Sequence, residues 1–230
     1  FYFCRVSNLL YLETSSKNCS VGISRNGKLL ALEELSEASF SHAEKLHPFI
    51  NGVLEKAALS MTDLSGVVVG KGPGSYTGLR IGVAAAKGLC FALQIPLVGV
   101  GSLETLAEAV CSQTSAFIIP LIDARRMEVF TAVFDTRGKQ IESPWAEVLE
   151  SNSFSPYLDK NKCLFVGDGQ EKFQKILNHP NAVFEAEILQ PSVQQMVRLG
   201  TQKFEAKAFE DLAYFEPFYL KEFYTTPPKS

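Results

Sequence analysis

Apolar positions cluster into short runs at the start of the chain, and their spacing changes part-way along. Residues 9–14, 19–25 and 28–35 read as three strands. Asn26-Gly27 between the last two is a strong hairpin signal, so the chain opens as an antiparallel meander. The period then lengthens to that of a helix over residues 42–59 and 77–93, with short buried strands over 66–70 and 97–100. The order is βββαβαβ. The second half follows the same order, with strands over 116–123, 127–135 and 139–143, a turn at 136–138, and a short helix over 153–158. A strand over 163–166, a helix over 171–177, a strand over 182–184 and a long helix over 192–208 complete it.

Three antiparallel strands followed by helical crossovers that add parallel strands form the ribonuclease-H-like and actin-like α/β arrangement. A duplicated βββαβα(β) unit gives two lobes. The expected division is residues 1–107 for an N-terminal lobe and 108–230 for a second lobe of related topology. The helix over 192–208 is a candidate to pack back on the first lobe.

The two first-lobe helices carry more apolar surface than one sheet can cover. On a helical wheel Leu79, Val83, Ala86 and Cys90 form one stripe, and Ile81, Ala84, Gly88, Phe91 and Ala92 form the opposite one. In the preceding helix Ala43, Leu46, Phe49, Ile50, Val53, Leu54 and Ala57 span a wide arc. Either a helical partner or mutual burial of the two helices accounts for the excess. Gly82, Ala85 and Gly88 allow close approach of another helix.

Composition narrows the function classes. The 230 residues are 46% hydrophobic and 20% charged, with a net charge of −3, the profile of an ordinary globular protein. The acidic balance argues against autonomous nucleic-acid binding. Five scattered cysteines without a C-x-x-C pair suggest neither a disulfide framework nor a zinc site. No apolar run approaches a membrane span and the start lacks a signal-peptide pattern, so the expected compartment is the cytoplasm, with no membrane contact.

Candidate chemistry is sparse. Gly70 to Gly82 contains five glycines between a buried strand and a helix, with Ser75 or Thr77 as N-cap. Its N–H groups could hold an anion, or the glycines could serve a turn of positive φ. Gly72, Gly74 and Gly78 miss the dinucleotide fingerprint, and Gly22 to Leu29 misses the phosphate loop because Leu29 replaces its Ser or Thr. His42 and His47 are five apart, about 140° on a helix, and cannot share a metal there. All three histidines are expected at the surface or an interface. Glu13, Thr14 and Ser15 after the first strand, and Asp123 with Arg125 at the equivalent point of the repeat, occupy the places where actin-like enzymes grip phosphates. Gly167-Asp168-Gly169 is a weaker turn of the same kind.

The segment GPGSYTGLRIG, from Gly72, Pro73, Gly74, Ser75, Tyr76, Thr77 and Gly78 through Arg80 to Gly82, resembles the signature of the TsaB (YeaZ) family, which usually has Phe at the place of Tyr76. LYLETSSKNCSVGI at 10–23, the SHAEKLHP helix start at 41–48 and DARRMEVF at 123–130 resemble other landmarks of that family. Glu13 departs from it, standing where Asp is common. The resemblance implies an actin-like, two-lobed, noncatalytic scaffold without cofactor or metal. Its catalytic partner is a TsaD-type subunit, which carries a histidine pair four apart, in forming threonylcarbamoyladenosine at position 37 of tRNAs. It further implies a TsaE-type ATPase in the larger complex, tRNA contact only through that complex, homodimers when alone, and a four-helix contact made by the first-lobe helices. Leu46, Phe49, Ile50, Val53, Leu79, Val83, Ala86 and Cys90 are the expected interface. The alternative is an actin-like phosphotransferase using the Glu13 and Asp123 loops, or a peptidase-like enzyme acting alone.

Overall fold

Asn26 and Gly27 both take positive φ, and this turn folds the second strand back on the third. In the computed structural model, residues 6–36, 42–188 and 190–221 are described. The first lobe contains β1 (Asn8–Glu13), β2 (Asn18–Arg25), β3 (Lys28–Ser36), α1 (His42–Lys56), β4 (Gly66–Gly72), α2 (Tyr76–Leu93) and β5 (Leu97–Gly101). Then α3 (Ser102–Val110) leads into β6 (Phe117–Asp123), β7 (Glu128–Phe134), β8 (Gln140–Val148), α4 (Ser155–Leu158), β9 (Cys163–Val166), α5 (Gln170–Gln174) and β10 (Ala182–Phe184). A last helix, α6 (Val193–Glu205), follows.

The two sheets share one topology. The first runs β3-β2-β1-β4-β5 and the second β8-β7-β6-β9-β10, each with an antiparallel meander continued by two parallel strands. This is the duplicated, two-lobed actin-like fold that the element order predicts.

Alternation along β1 sorts its side chains onto two covered faces. Leu10 and Leu12 pack with Leu46, Ile50 and Val53 of α1 and Val83, Ala86 and Cys90 of α2. Leu9 and Tyr11 pack on the other face with Val193, Met196 and Val197 of α6. The last helix of the chain therefore completes the core of the first lobe. In the second lobe, Leu103, Leu106 and Val110 of α3 cover Ile118, Ile122 and Phe134 on one face. Phe154, Leu158 and Phe173, around α4 and α5, cover Ile119, Leu121 and Phe165 on the other.

Several boundaries differ from the sequence reading. A division after residue 107 falls inside α3, because the buried face of this helix belongs to the second core. The third strand of the second meander runs on to Val148, an edge strand of mostly exposed or half-buried residues whose pattern stays polar. Helix α1 ends at Lys56 and passes through Pro48 without interruption. The start of the 41–48 landmark, Ser41, lies outside the described residues.

Candidate functional site

The glycine-rich segment follows β4 and opens α2, and its purpose is visible in what lies against it. The Glu13–Ser16 loop sits directly on the first turns of α2. Ser75 N–H donates to the Ser15 carbonyl at 2.6 Å, and Thr14 Oγ1 donates to the Gly78 carbonyl at 2.8 Å. A β-carbon at Gly74 would overlap the Ser15 carbonyl, one at Gly78 the Thr14 carbonyl, and one at Gly82 the Thr14 hydroxyl. Gly74 and Gly78 are contact surfaces for backbone, and Gly82 makes room for the Thr14 side chain. Ser75 Oγ accepts the Gly78 N–H at 3.2 Å and caps the helix, so this N–H is spent internally.

The first of the two phosphate-type loops is therefore closed. Glu13, Thr14 and Ser15 are buried under α2 and expose almost no surface to solvent. Ser15 N–H donates to Glu13 Oε1 at 2.7 Å, while Oε2 is without a partner and lies where a β-carbon of Gly70 would stand. Burial pushes the Glu13 carboxyl above the usual carboxylate range. His42 is another correction: it is buried, and its Nε2 donates to the Ser16 carbonyl at 2.8 Å. Burial lowers its pKa and keeps the ring neutral. His47 is exposed on α1, and His179 lies 3.6 Å from Asp159.

The second loop keeps an exposed carboxylate that is already engaged. Asp123 Oδ1 accepts the Arg125 N–H at 2.7 Å and the Lys172 ammonium at 2.7 Å. Asp168 accepts the Asp123 N–H at 2.9 Å, so the structure brings the Asp123 and Gly167–Gly169 turns together. Burial raises the Asp168 carboxyl and the Asp123 charge adds to it, while Lys17 and Lys172 act in the opposite sense. Arg125, with positive φ, stands exposed at the tip of the turn. Among the described residues no group of three or more His, Cys, Asp or Glu side chains is placed to hold a metal ion. The cysteines at 19, 90 and 163 are buried and free, each pushed up to about 11 by burial, which leaves them poor nucleophiles.

The expected interface residues have the opposite orientation. Leu46, Ile50, Val53, Leu79, Val83, Ala86 and Cys90 are buried in the chain itself, and Phe49 is half-buried against the same core. Sheet and helices satisfy one another through this stripe, so it offers nothing to a partner. The second stripe of α2 is the one left outside: Ala84, Gly88 and Ala92 are exposed, Ile81 is half-buried, and Phe91 is 74% exposed. A β-carbon at Gly88 would meet nothing within 4 Å. The surplus inferred from the wheel is real, but mutual burial consumes the first stripe and only the second is free.

At the N-terminal end of α2 the Arg80 guanidinium lies 4.1 Å above the Tyr76 ring, and its Nε donates to Tyr219 Oη at 3.4 Å. The Tyr76 and Tyr219 rings are 5.0 Å apart. The signature segment thus ends under the C-terminal part of the chain, which the wheel could not reveal.

Comparison with known proteins places this architecture. The family model described as TsaD, tRNA N6-adenosine threonylcarbamoyltransferase, matches residues 36–226. The Bacillus subtilis tRNA threonylcarbamoyladenosine biosynthesis protein TsaB is 30% identical over 220 residues, covering 93% of each chain. The Escherichia coli TsaB is 27% identical over 219 residues, covering 93% of this chain and 94% of its own. A crystal structure of a Pseudomonas aeruginosa protein described as similar to the peptidase YeaZ superposes with a TM-score of 0.82 at 26% identity, covering 94% of this chain and all of that one. Matched along most of its length by a family model and almost end to end by a 30% identical relative, the chain belongs to the TsaB (YeaZ) family, inside the broader family that the TsaD model describes.

Proposed function

We propose that this chain is a noncatalytic subunit in the formation of threonylcarbamoyladenosine at position 37 of tRNAs in the cytoplasm, where it docks a TsaD-type catalytic protein through the outward stripe of α2. The observation that carries the reading is that stripe: Ala84, Gly88 and Ala92 form a floor of small side chains beside an exposed Phe91. Small residues let a second helix come close, and an exposed aromatic ring is the kind of group that anchors an interface. The Glu13–Ser15 loop supports a scaffold rather than a phosphotransferase, because its oxygens are sealed under α2. A peptidase reading finds no support in the thiols among the described residues, which are buried or half-buried with raised pKa.

The partner is one step of a larger assembly in this reading, with a TsaE-type ATPase joining the pair and tRNA held by the complex. Alone, the chain pairs with a second copy through related surfaces. The test is light scattering on a sizing column with the TsaD-type protein of the same organism. The parent chain co-elutes at a defined heteromeric mass, and Ala84→Arg, placed on the exposed stripe, abolishes co-elution without changing the circular dichroism. Unchanged co-elution of the variant rejects the docking face. Saturable ATP binding by the isolated chain in calorimetry favours the phosphotransferase instead.

A further inference from the structure

After α6 the chain continues as a strap over residues 207–221 that crosses the first lobe without regular secondary structure. Glu210 N–H donates to the Leu97 carbonyl at 2.9 Å, and Phe218 N–H to the Lys71 carbonyl at 2.7 Å. Lys71 and Glu210 pair at 3.3 Å, Phe215 is buried in the first core, and Lys221 pairs with Glu128 on β7. Asp211 Oδ1 accepts the N–H groups of Ala213 at 2.9 Å and Tyr214 at 3.3 Å, which fixes a turn.

Lys87 of α2 holds this turn from below. Its ammonium donates to the Ala213 carbonyl at 3.2 Å and to the Phe215 carbonyl at 2.9 Å. Those two carbonyls bracket Tyr214, whose side chain is nevertheless 85% exposed. The backbone that carries this exposed ring is held on both sides before anything binds, which lowers the cost of ordering the turn in a complex. Lys87 and Phe91 are one turn apart on one face of α2, so Tyr214 stands beside the outward stripe.

We propose that the strap is one wall of the docking face and that Tyr214 anchors an α-helix of the TsaD-type partner lying along Ala84 and Gly88. The inference rests on the docking reading above and adds to it an element that no helix pattern contains. The occupant is a helix because the backbone groups of α2 are paired within the helix and offer no strand edge. Its flank toward the strap is basic: Asp211 and Glu216 are exposed there, and the cations Lys71 and Lys87 are already engaged by the chain itself.

The experiment measures affinity of the full-length chain for the TsaD-type protein. Tyr214→Ala weakens binding about tenfold or more with an unchanged thermal midpoint. Lys87→Met, which releases the turn, weakens it as well, and Lys87→Arg, which retains donors for both carbonyls, restores it. Glu216→Lys loses more affinity at low salt than at high. If Tyr214→Ala binds like the parent while Ala84→Arg does not, the strap is no part of the interface and the docking reading stands. If Ala84→Arg also binds like the parent, the docking reading fails and takes the strap with it. Loss of self-association alone, with partner binding intact, assigns Tyr214 to contact between copies and overturns the proposal.

Discussion

Glycines that look alike in the sequence do different work on α2, and the difference can be measured. Gly78 faces the Thr14 carbonyl so closely that a methyl group there displaces backbone, whereas Gly88 faces open solvent. Gly78→Ala is therefore expected to lose about 3 kcal/mol of stability. Gly88→Ala gains about 1 kcal/mol from helix propensity. Urea midpoints of the two variants check both signs, and equal shifts would contradict the packing account. Glu13 gives the second residue-scale prediction. Burial holds its folded pKa above the ordinary carboxyl value, so the folded state binds a proton more tightly than the unfolded one. The stability it contributes is complete below that value and is lost as pH rises through the folded pKa. Glu13→Gln removes this loss, so the variant gains on the parent as pH rises above the ordinary carboxyl range; a difference in urea midpoint that stays constant with pH would contradict a raised carboxyl pKa. Neither effect was legible beforehand, because the five-glycine count announces a backbone requirement without saying which chain meets it.

At the scale of elements, the wheel found two apolar stripes on α2 and could not tell inside from outside. Leu79, Val83, Ala86 and Cys90 fill the gap above the sheet, while the opposite stripe, which includes the large Ile81 and Phe91 as well as Ala84, Gly88 and Ala92, stays outside. Residue size does not separate the two stripes, because Phe91 is the largest residue of either. The meanders and the helical crossovers followed directly from period and turn chemistry, and the structure selects Ser75 over Thr77 as the cap of α2. By contrast α3 has no counterpart in the sequence reading, although Leu103, Leu106, Ala107 and Val110 stand at helical spacing. Its shortness and its place at the expected lobe boundary hid it. The strap was illegible for a different reason: it has no period, and its position comes from Lys87, Lys71 and the Arg80–Tyr219 contact, all distant in sequence. Val83→Ala is expected to destabilise the chain by about 2 kcal/mol through an internal cavity while leaving partner affinity unchanged. A matching loss of affinity in calorimetry would return this stripe to the interface.

Across the whole molecule the two lobes are joined by helices that the chain exchanges between them. Helix α6 ends the sequence of elements yet fills the first core, and Tyr11 Oη meets Thr201 Oγ1 at 2.9 Å beneath it. On its far side Arg198 pairs with Glu108, and Lys203 pairs with Glu104 at 2.8 Å, both partners on α3. The other face of α3 belongs to the second core. Loosening α6 therefore withdraws support from α3, and the disturbance reaches the second lobe. Met196 is fully buried, and Met196→Ala costs about 2–5 kcal/mol at that site. The single tryptophan, Trp145, lies in the second lobe against Phe154, so its fluorescence reports that lobe alone. Coupling through α3 requires the fluorescence midpoint of Met196→Ala to fall together with the far-ultraviolet circular dichroism midpoint, in one transition. Independent lobes would leave the Trp145 transition where it stands in the parent while the first lobe melts early, and the fall of both midpoints together is the expected result.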